Sequence, residues 1–160
     1  MSGRIDPGRD PAGAIVAEVR RWLGTPYTHG ASLRGVGCDC LGLVRGIWRA
    51  LYGSEPEDAG PYTADWAEAT GGERLIEAAA RHLRPSEDDA IRAGDLLVLR
   101  WRDGFPAKHL GIATGPDTMI HAHDGASVAE VALGLWRSRV AGVFRFPDLP
   151  DRSVEGGQRS

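Results

Sequence analysis

The spacing of apolar residues in the N-terminal half of the chain predicts helices. Apolar residues recur every three or four positions over residues 15–23, between an N-cap at Asp10 and a stop at Gly24. The same spacing predicts a second helix over residues 40–51. A third helical pattern covers residues 65–83, with two glycines interrupting it. We therefore expect the first half of the fold to be helical.

After residue 93 the pattern changes to short apolar runs separated by turn residues, which is typical of strands. The runs cover residues 96–101, 109–114, 119–123, 128–132 and 141–146. Helices followed by strands predict an α+β fold, with N-terminal helices packed on a C-terminal antiparallel sheet. We expect residues 10–149 to form a single domain, with flexible, polar ends at 1–9 and 150–160.

Composition narrows the classes of function. The chain has 160 residues, a net charge of −3, 42% apolar residues and 26% charged residues, as in an ordinary globular protein. The chain has no basic block, so we expect neither nucleic acid nor anionic lipid as a partner. It also has no apolar stretch with the length of a membrane span. The first residues lack the apolar core of a signal peptide, so we expect synthesis in the cytoplasm without one.

A candidate nucleophile lies where a Gly-rich loop runs into the second predicted helix. The two cysteines, Cys38 and Cys40, are too few for a disulfide framework, so we expect both to be reduced. Cys40 falls in the first helical turn, where unpaired N–H groups and a partial positive charge favour thiolate and can stabilise an oxyanion. Gly42 leaves that turn uncluttered for a substrate. A buried structural role for Cys40 remains the alternative.

A candidate base and its orienting partner flank a turn at Gly115. A hairpin symmetric about this residue pairs His109 with His121 and puts both imidazoles on one face, with apolar neighbours on the other. One ring can then act on the thiol while the second holds it in the useful tautomer. His123 shares the face and is the rival orienter. A zinc site built from both cysteines and two histidines is disfavoured, because a lone Cys-x-Cys pair is a poor zinc signature.

These segments together resemble the NlpC-type cell-wall cysteine peptidases, a papain-like family, over about residues 15–146. Five motifs follow the family's order, at residues 23–27, 39–44, 93–97, 109–112 and 119–122. The resemblance implies a papain-like fold with Cys40 as nucleophile, His109 as base and His121 as orienter. It also implies that Tyr27 lies beside the thiol to position substrate or oxyanion, and that Asp39 lines the substrate side.

The resemblance implies a substrate as well, and neither a cofactor nor a metal. Family members usually cut peptidoglycan stem peptides, often between γ-D-glutamate and a diamino acid. Leu41 stands where the family has Ser, a residue that can hold the polar end of the substrate. The expected chemistry is amide hydrolysis through an acyl-enzyme.

Two alternatives to this hydrolase remain open: an acyltransferase on the same fold, and a tail structural subunit with little activity. Within the family the chain most resembles the phage-associated branch. We therefore expect phage tail or tail-like particle proteins as partners, and delivery to the cell wall in such a particle, without membrane insertion.

Overall fold

The apolar stripes of the N-terminal half form helices, as predicted. The computed structural model describes residues 10–56, 74–100, 107 and 109–150. Its α-helices are α1 (Ala12–Arg20), α2 (Cys40–Tyr52) and α3 (Arg74–His82). The predicted flexible end at 1–9, the first part of the predicted third helix and residues 151–160 lie outside the described residues. Among the described helices, none combines the length and the apolar character needed to cross a membrane.

Helix α2 is the central helix and packs closely against the end of α1. It ends at Tyr52, one residue later than predicted, because Gly53 takes a left-handed conformation with φ 89°. A side chain at Gly46 would meet the Trp22 indole, 2.1 Å from the position of its Cβ, so a glycine here permits the crossing. Leu23 is 42% exposed, and its place in the predicted buried stripe was wrong because α1 already ends at Arg20.

The strands form one antiparallel sheet and a separate small hairpin. The hairpin joins β1 (Ser32–Leu33) to β2 (Gly37–Cys38). The sheet contains β3 (Arg84–Pro85), β4 (Leu96–Leu99), β5 (His109–Gly115), β6 (Thr118–His121), β7 (Ala129–Ala132) and β8 (Val140–Arg145), in the order β3-β8-β4-β5-β6-β7. A 3-10 helix, Gly134–Arg139, precedes β8. The α+β architecture is confirmed, while the three two-residue strands and the 3-10 helix were not predicted.

The two faces of the sheet bury different clusters. The face toward α1 and α2 carries the predicted core residues Leu110, Ile112, Ile120 and Ala122, all of them buried in the main core. Strand alternation puts the neighbouring side chains on the other face. That second cluster consists of Leu97, Leu99, Ala113, Met119, Leu133 and Val143, with Trp136 packed against it. The prediction that the hairpin has one apolar core face is therefore confirmed.

Backbone hydrogen bonds tie the loop after α1 to the segment after β6. The Gly24 N–H donates to the Val128 carbonyl at 2.9 Å, and the Val128 N–H donates to the Thr25 carbonyl at 2.8 Å. Pro26 and Ser127 form an adjoining antiparallel bridge. The loop that leads to Tyr27 is thereby fixed to the chain that leaves the end of β6.

Candidate active site

The thiol of Cys40 lies at the first residue of α2, where one carboxylate fixes two stretches of backbone. Asp39 is the N-cap, and its Oδ1 accepts the Gly42 N–H at 2.7 Å. Its Oδ2 accepts the Gly30 N–H, also at 2.7 Å. The helix start and the preceding loop are therefore held together directly behind the nucleophile.

These contacts give Asp39 a structural role. The side chain is 3% exposed and accepts backbone N–H groups from Gly30 and Gly42. A carboxylate used in this way stabilises the helix start. Asp39 therefore helps to position Cys40, and the role on the substrate side that the resemblance implied stays a prediction.

The role expected for Gly42 also changes. A Cβ at this residue would lie 1.9 Å from the Ala31 carbonyl oxygen, far inside contact distance. The Ser32 hydroxyl donates to the Gly42 carbonyl at 2.6 Å from the same stretch of chain. The space beside the first turn is therefore occupied by the protein's own backbone and is not left open for a substrate.

The protonation state of Cys40 differs from the thiolate expected at a helix N-terminus. Burial raises the pKa of the thiol to about 12, and the neighbouring charge of Asp39 acts in the same direction. Hydrogen bonds from the backbone N–H groups of Leu110 and Leu41 lower the pKa but are outweighed. The thiol is protonated at neutral pH, and its activation needs a base.

The two imidazoles meet on one face of the β5–β6 hairpin. His109 Nε2 lies 2.7 Å from His121 Nδ1, a buried hydrogen bond, and the ring centroids are 5.0 Å apart. The predicted register was wrong by two residues, since His121 pairs with Gly111. A bulge between Ala113 and Gly115 accompanies this shift. Because the shift is an even number of residues, it preserves the face, and the rings meet diagonally.

The thiol lies next to the start of β5, where His109 is the first residue. The Leu110 N–H that donates to the Cys40 sulfur belongs to the peptide bond between His109 and Leu110. Since His109 Nε2 bonds His121, Nδ1 is the ring nitrogen that can serve the thiol. For Nδ1 to accept a proton, Nε2 must carry the hydrogen and donate a hydrogen bond to His121. In that tautomer His121 accepts the hydrogen bond and fixes the orientation of the His109 ring.

Burial keeps both rings neutral. It lowers the pKa of His109 to about 3, with further lowering from the charges of His121 and His123. Burial also lowers the pKa of His121 to about 4, and His123 again contributes. A neutral imidazole can accept a proton. The site therefore holds a neutral imidazole pair at the start of β5, next to the Leu110 N–H that donates to the Cys40 sulfur.

His123, the rival orienter, has a different position. Its Nδ1 lies 2.8 Å from the Asp124 carbonyl at an exposed site, and its ring centroid is 6.2 Å from that of His109. The short ring–ring hydrogen bond to His109 belongs to His121. The geometry favours His121 as the orienting partner.

Tyr27 lies close enough to Cys40 for the two groups to interact electrostatically, and its role in positioning substrate or oxyanion stays a prediction. Burial raises its pKa to about 12, and the charges of Asp39 and Cys40 add to the effect. The residue is half-buried against the main core and forms a parallel bridge with Cys38. Its phenol is therefore neutral and can donate a hydrogen bond beside Cys40.

Comparison with known proteins identifies the family. The family model described as "NlpC/P60 family" matches residues 24–145, more than half of the chain. The chain belongs to the NlpC/P60 family. The fold agrees with solved NlpC/P60 structures, such as the NlpC/P60 domain of the peptidoglycan hydrolase SagA, which is 26% identical with a TM-score of 0.56 over 84% of this chain and 98% of that one. An NlpC/P60 family protein from Bacillus cereus gives a TM-score of 0.62 at 21% identity, covering 87% of this chain and 41% of that one.

Two Bacillus subtilis proteins are similar in sequence to this NlpC/P60 domain. Gamma-DL-glutamyl hydrolase is 27% identical over 146 residues, which cover 88% of this chain and 31% of that protein. Gamma-D-glutamyl-L-lysine dipeptidyl-peptidase is 34% identical over 102 residues, or 63% of this chain and 28% of that protein. The chain thus spans about a third of the length of these relatives.

One residue of this NlpC/P60 site was missed in the sequence. Trp136, in the 3-10 helix, stacks on His109 with ring centroids 5.4 Å apart and 28° between the planes. From the sequence, Trp136 is only one of five tryptophans that could line a sugar groove, and its local sequence has neither strand nor α-helix periodicity that would assign it to the site. By contrast, Cys38 is fully buried and its pKa is raised to about 12 by burial, as expected of a small apolar side chain. No metal-holding group of three or more His, Cys, Asp or Glu residues occurs in the described part of the chain.

Proposed function

We propose that this chain is a cysteine peptidase that hydrolyses amide bonds in peptidoglycan stem peptides. The observation that carries the proposal is the 2.7 Å His109–His121 pair at the start of β5, where the Leu110 N–H also donates to the Cys40 sulfur. In this proposal the nucleophile, the base and the orienter come from α2, β5 and β6. Membership of the NlpC/P60 family supports peptidoglycan as the substrate.

The proposed reaction proceeds through an acyl-enzyme. The Cys40 sulfur attacks the amide carbonyl carbon while the thiol proton passes to His109 Nδ1. His109 then gives this proton to the leaving nitrogen, the C–N bond breaks, and a thioester remains on Cys40. Water attacks the thioester, one of its protons passes to His109, and the released sulfur takes that proton back. The neutral phenol of Tyr27 is the proposed oxyanion donor.

We propose the bond between γ-D-glutamate and the diamino acid as the one that is cut. The names of both Bacillus subtilis relatives specify a glutamyl bond, and one specifies γ-D-glutamyl-L-lysine. The test is mass analysis of purified muropeptides before and after incubation with the protein. We expect products cut at this bond, and none from Cys40→Ala.

The matched control is Cys38→Ala, which removes the other thiol from a fully buried position two residues away. It should keep the same products. Loss of activity in Cys38→Ala with full activity in Cys40→Ala would overturn the assignment. Products carrying an added amine in place of water, when an amine is supplied, would identify an acyltransferase.

We further propose delivery to the wall in a phage tail or tail-like particle, supported by the likeness to the phage-associated branch of the family. Antibody detection of the protein in purified particles tests this. Its absence from particles, with free protein in lysing cells, would instead identify a lysis enzyme.

A further inference from the structure

Trp136 contacts both histidines of the proposed catalytic pair. Its ring stacks on His109 at 5.4 Å, and meets His121 edge-on at 5.5 Å with 75° between the planes. It also lies 6.3 Å from the ring of His123. One half-buried indole therefore borders the whole imidazole cluster.

The 3-10 helix that carries Trp136 is anchored to the turn of the histidine hairpin. The Leu133 N–H donates to the Asp117 carbonyl at 2.8 Å, and Arg137 pairs with the Asp117 carboxylate at 2.6 Å. The backbone N–H of Trp136 donates to the Leu133 carbonyl, and Leu133 is fully buried. The indole is thus held to the same β5–β6 unit that carries both rings.

We infer that Trp136 is a positioning residue for the base, because its stacked indole fixes the plane of the His109 ring and keeps water from the His109–His121 hydrogen bond. This inference rests on the proposed function. The stacked contact covers one face of His109, while the edge contact restrains His121. A hydrogen bond removed from water is electrostatically stronger and keeps its tautomers fixed.

Burial of the two rings beneath the Trp136 indole also explains why the imidazoles stay neutral. Among the described residues, the titratable and charged groups near His109 include His121 and His123 on the hairpin side, Cys40 at the start of α2, and Arg139, whose guanidinium carbon lies 6.0 Å from the Trp136 centroid. The causes of the lowered pKa of His109 are burial and the charges of His121 and His123. Burial is the largest cause, so losing the indole should raise the pKa of the base toward its ordinary value.

The test compares Trp136→Leu, Trp136→Phe and the wild type in kcat and KM across pH. Protonated His109 cannot act as base, so activity is lost as pH falls through its pKa. We expect Trp136→Leu to lower kcat by about 10-fold or more with little change in KM, and to move the acidic limb upward by about one pH unit or more. Trp136→Phe, which keeps a stacking ring, should restore much of both.

Leu135→Ala is the matched control, since Leu135 lies in the same helix but is 87% exposed. It should behave like the wild type. A Trp136→Leu enzyme with an unchanged kcat and acidic limb would overturn the inference. So would a rise in KM alone, which would make Trp136 a wall of the substrate site.

A second measurement is independent of turnover. Nitrogen-15 NMR of labelled histidines reports the tautomer and titration of His109 and His121 in the wild type and in Trp136→Leu. We expect fixed, complementary tautomers in the wild type and a higher titration midpoint in the variant. Identical spectra would overturn the inference even if no muropeptide were cleaved, a result that would by itself refute only the proposed function.

Discussion

On the thiol side of the site, contacts to the backbone hold Cys40 in place, whereas on the imidazole side the contacts are between rings. Behind Cys40, the Asp39 carboxylate and the Ala31 carbonyl pack against the first turn of α2. Around His109, the partners are the rings of His121 and Trp136. The arrangement around Cys40 depends on the backbone conformation of the preceding loop. The arrangement around His109 depends on which side chains β5, β6 and the 3-10 helix carry.

Because of this difference, substitutions on the two sides should affect the free energy of folding and the reaction rate to different extents. Altering a backbone-packed residue disturbs the path of the chain, so it should cost folding free energy as well as rate. Removing a ring from the arrangement around His109 should cost rate with a smaller effect on folding. The two sides therefore respond differently to substitution.

The largest expected effect is on the imidazole side. His109→Ala should lower kcat by about 10⁴-fold or more, because the protonated thiol loses its base. His121→Ala should cost less than His109→Ala, because an orienter acts only through the base. Steady-state kinetics with a purified muropeptide measures both. If His123→Ala proved more damaging than His121→Ala, the orienter would be His123.

The next effect lies on the thiol side. Gly42→Ala places a methyl group against the Ala31 carbonyl, and overpacking of this kind typically costs about 1–3 kcal/mol. Urea denaturation should show this loss together with reduced turnover. Gly13→Ala is the matched control, since a Cβ there has no atom within 4 Å. A Gly42→Ala protein of wild-type stability would show that the loop is not packed against the helix start.

A smaller effect is expected on the free energy of unfolding at acidic pH. The pKa of His109 is about 3 and that of His121 about 4 in the folded chain, below the ordinary histidine value near 6.5. The unfolded state therefore binds more protons between these limits, and the free energy of unfolding should fall as pH drops below about 6.5. Urea denaturation at several pH values measures the slope. His109→Gln should flatten it, and an unchanged slope would contradict a neutral, buried His109.

The smallest expected effect is on the reactivity of the free enzyme. Cys40 should be alkylated before Cys38, because it is half-buried and Cys38 is fully buried. With its pKa raised to about 12, the rate should increase with pH up to alkaline conditions. Peptide mapping by mass spectrometry follows both sites. Rapid labelling of Cys40 at pH 5 would instead indicate a preformed thiolate–imidazolium pair.

The sequence alone predicted the fold class and the meeting of His109 and His121 because both follow from periodicity. Helical spacing placed Cys40 at the start of α2, and strand alternation put the two histidines on one face. Only the predicted register of the β5–β6 pair was wrong, because the bulge between Ala113 and Gly115 cannot be recognised in the apolar pattern. An even shift conserves the face, so the ring contact survived that error.

The remaining features could not be predicted because they depend on contacts distant in sequence. Asp39 and Gly42 meet residues of a loop about ten positions earlier, which has no periodicity. Trp136 reaches His109 from a 3-10 helix on another part of the chain. The protonated state of Cys40 is a product of burial, which opposes the effect expected from the helix N-terminus alone.

The backbone ties between Gly24, Thr25 and Val128 have a consequence for folding. They join positions more than a hundred residues apart, and the loop-closure entropy must be lost before these hydrogen bonds form. Contacts of such long range form slowly and depend on the rest of the chain being in place. A nascent or partly folded chain therefore has no assembled site, and hydrogen exchange at the Gly24 and Val128 amides should occur only through global unfolding.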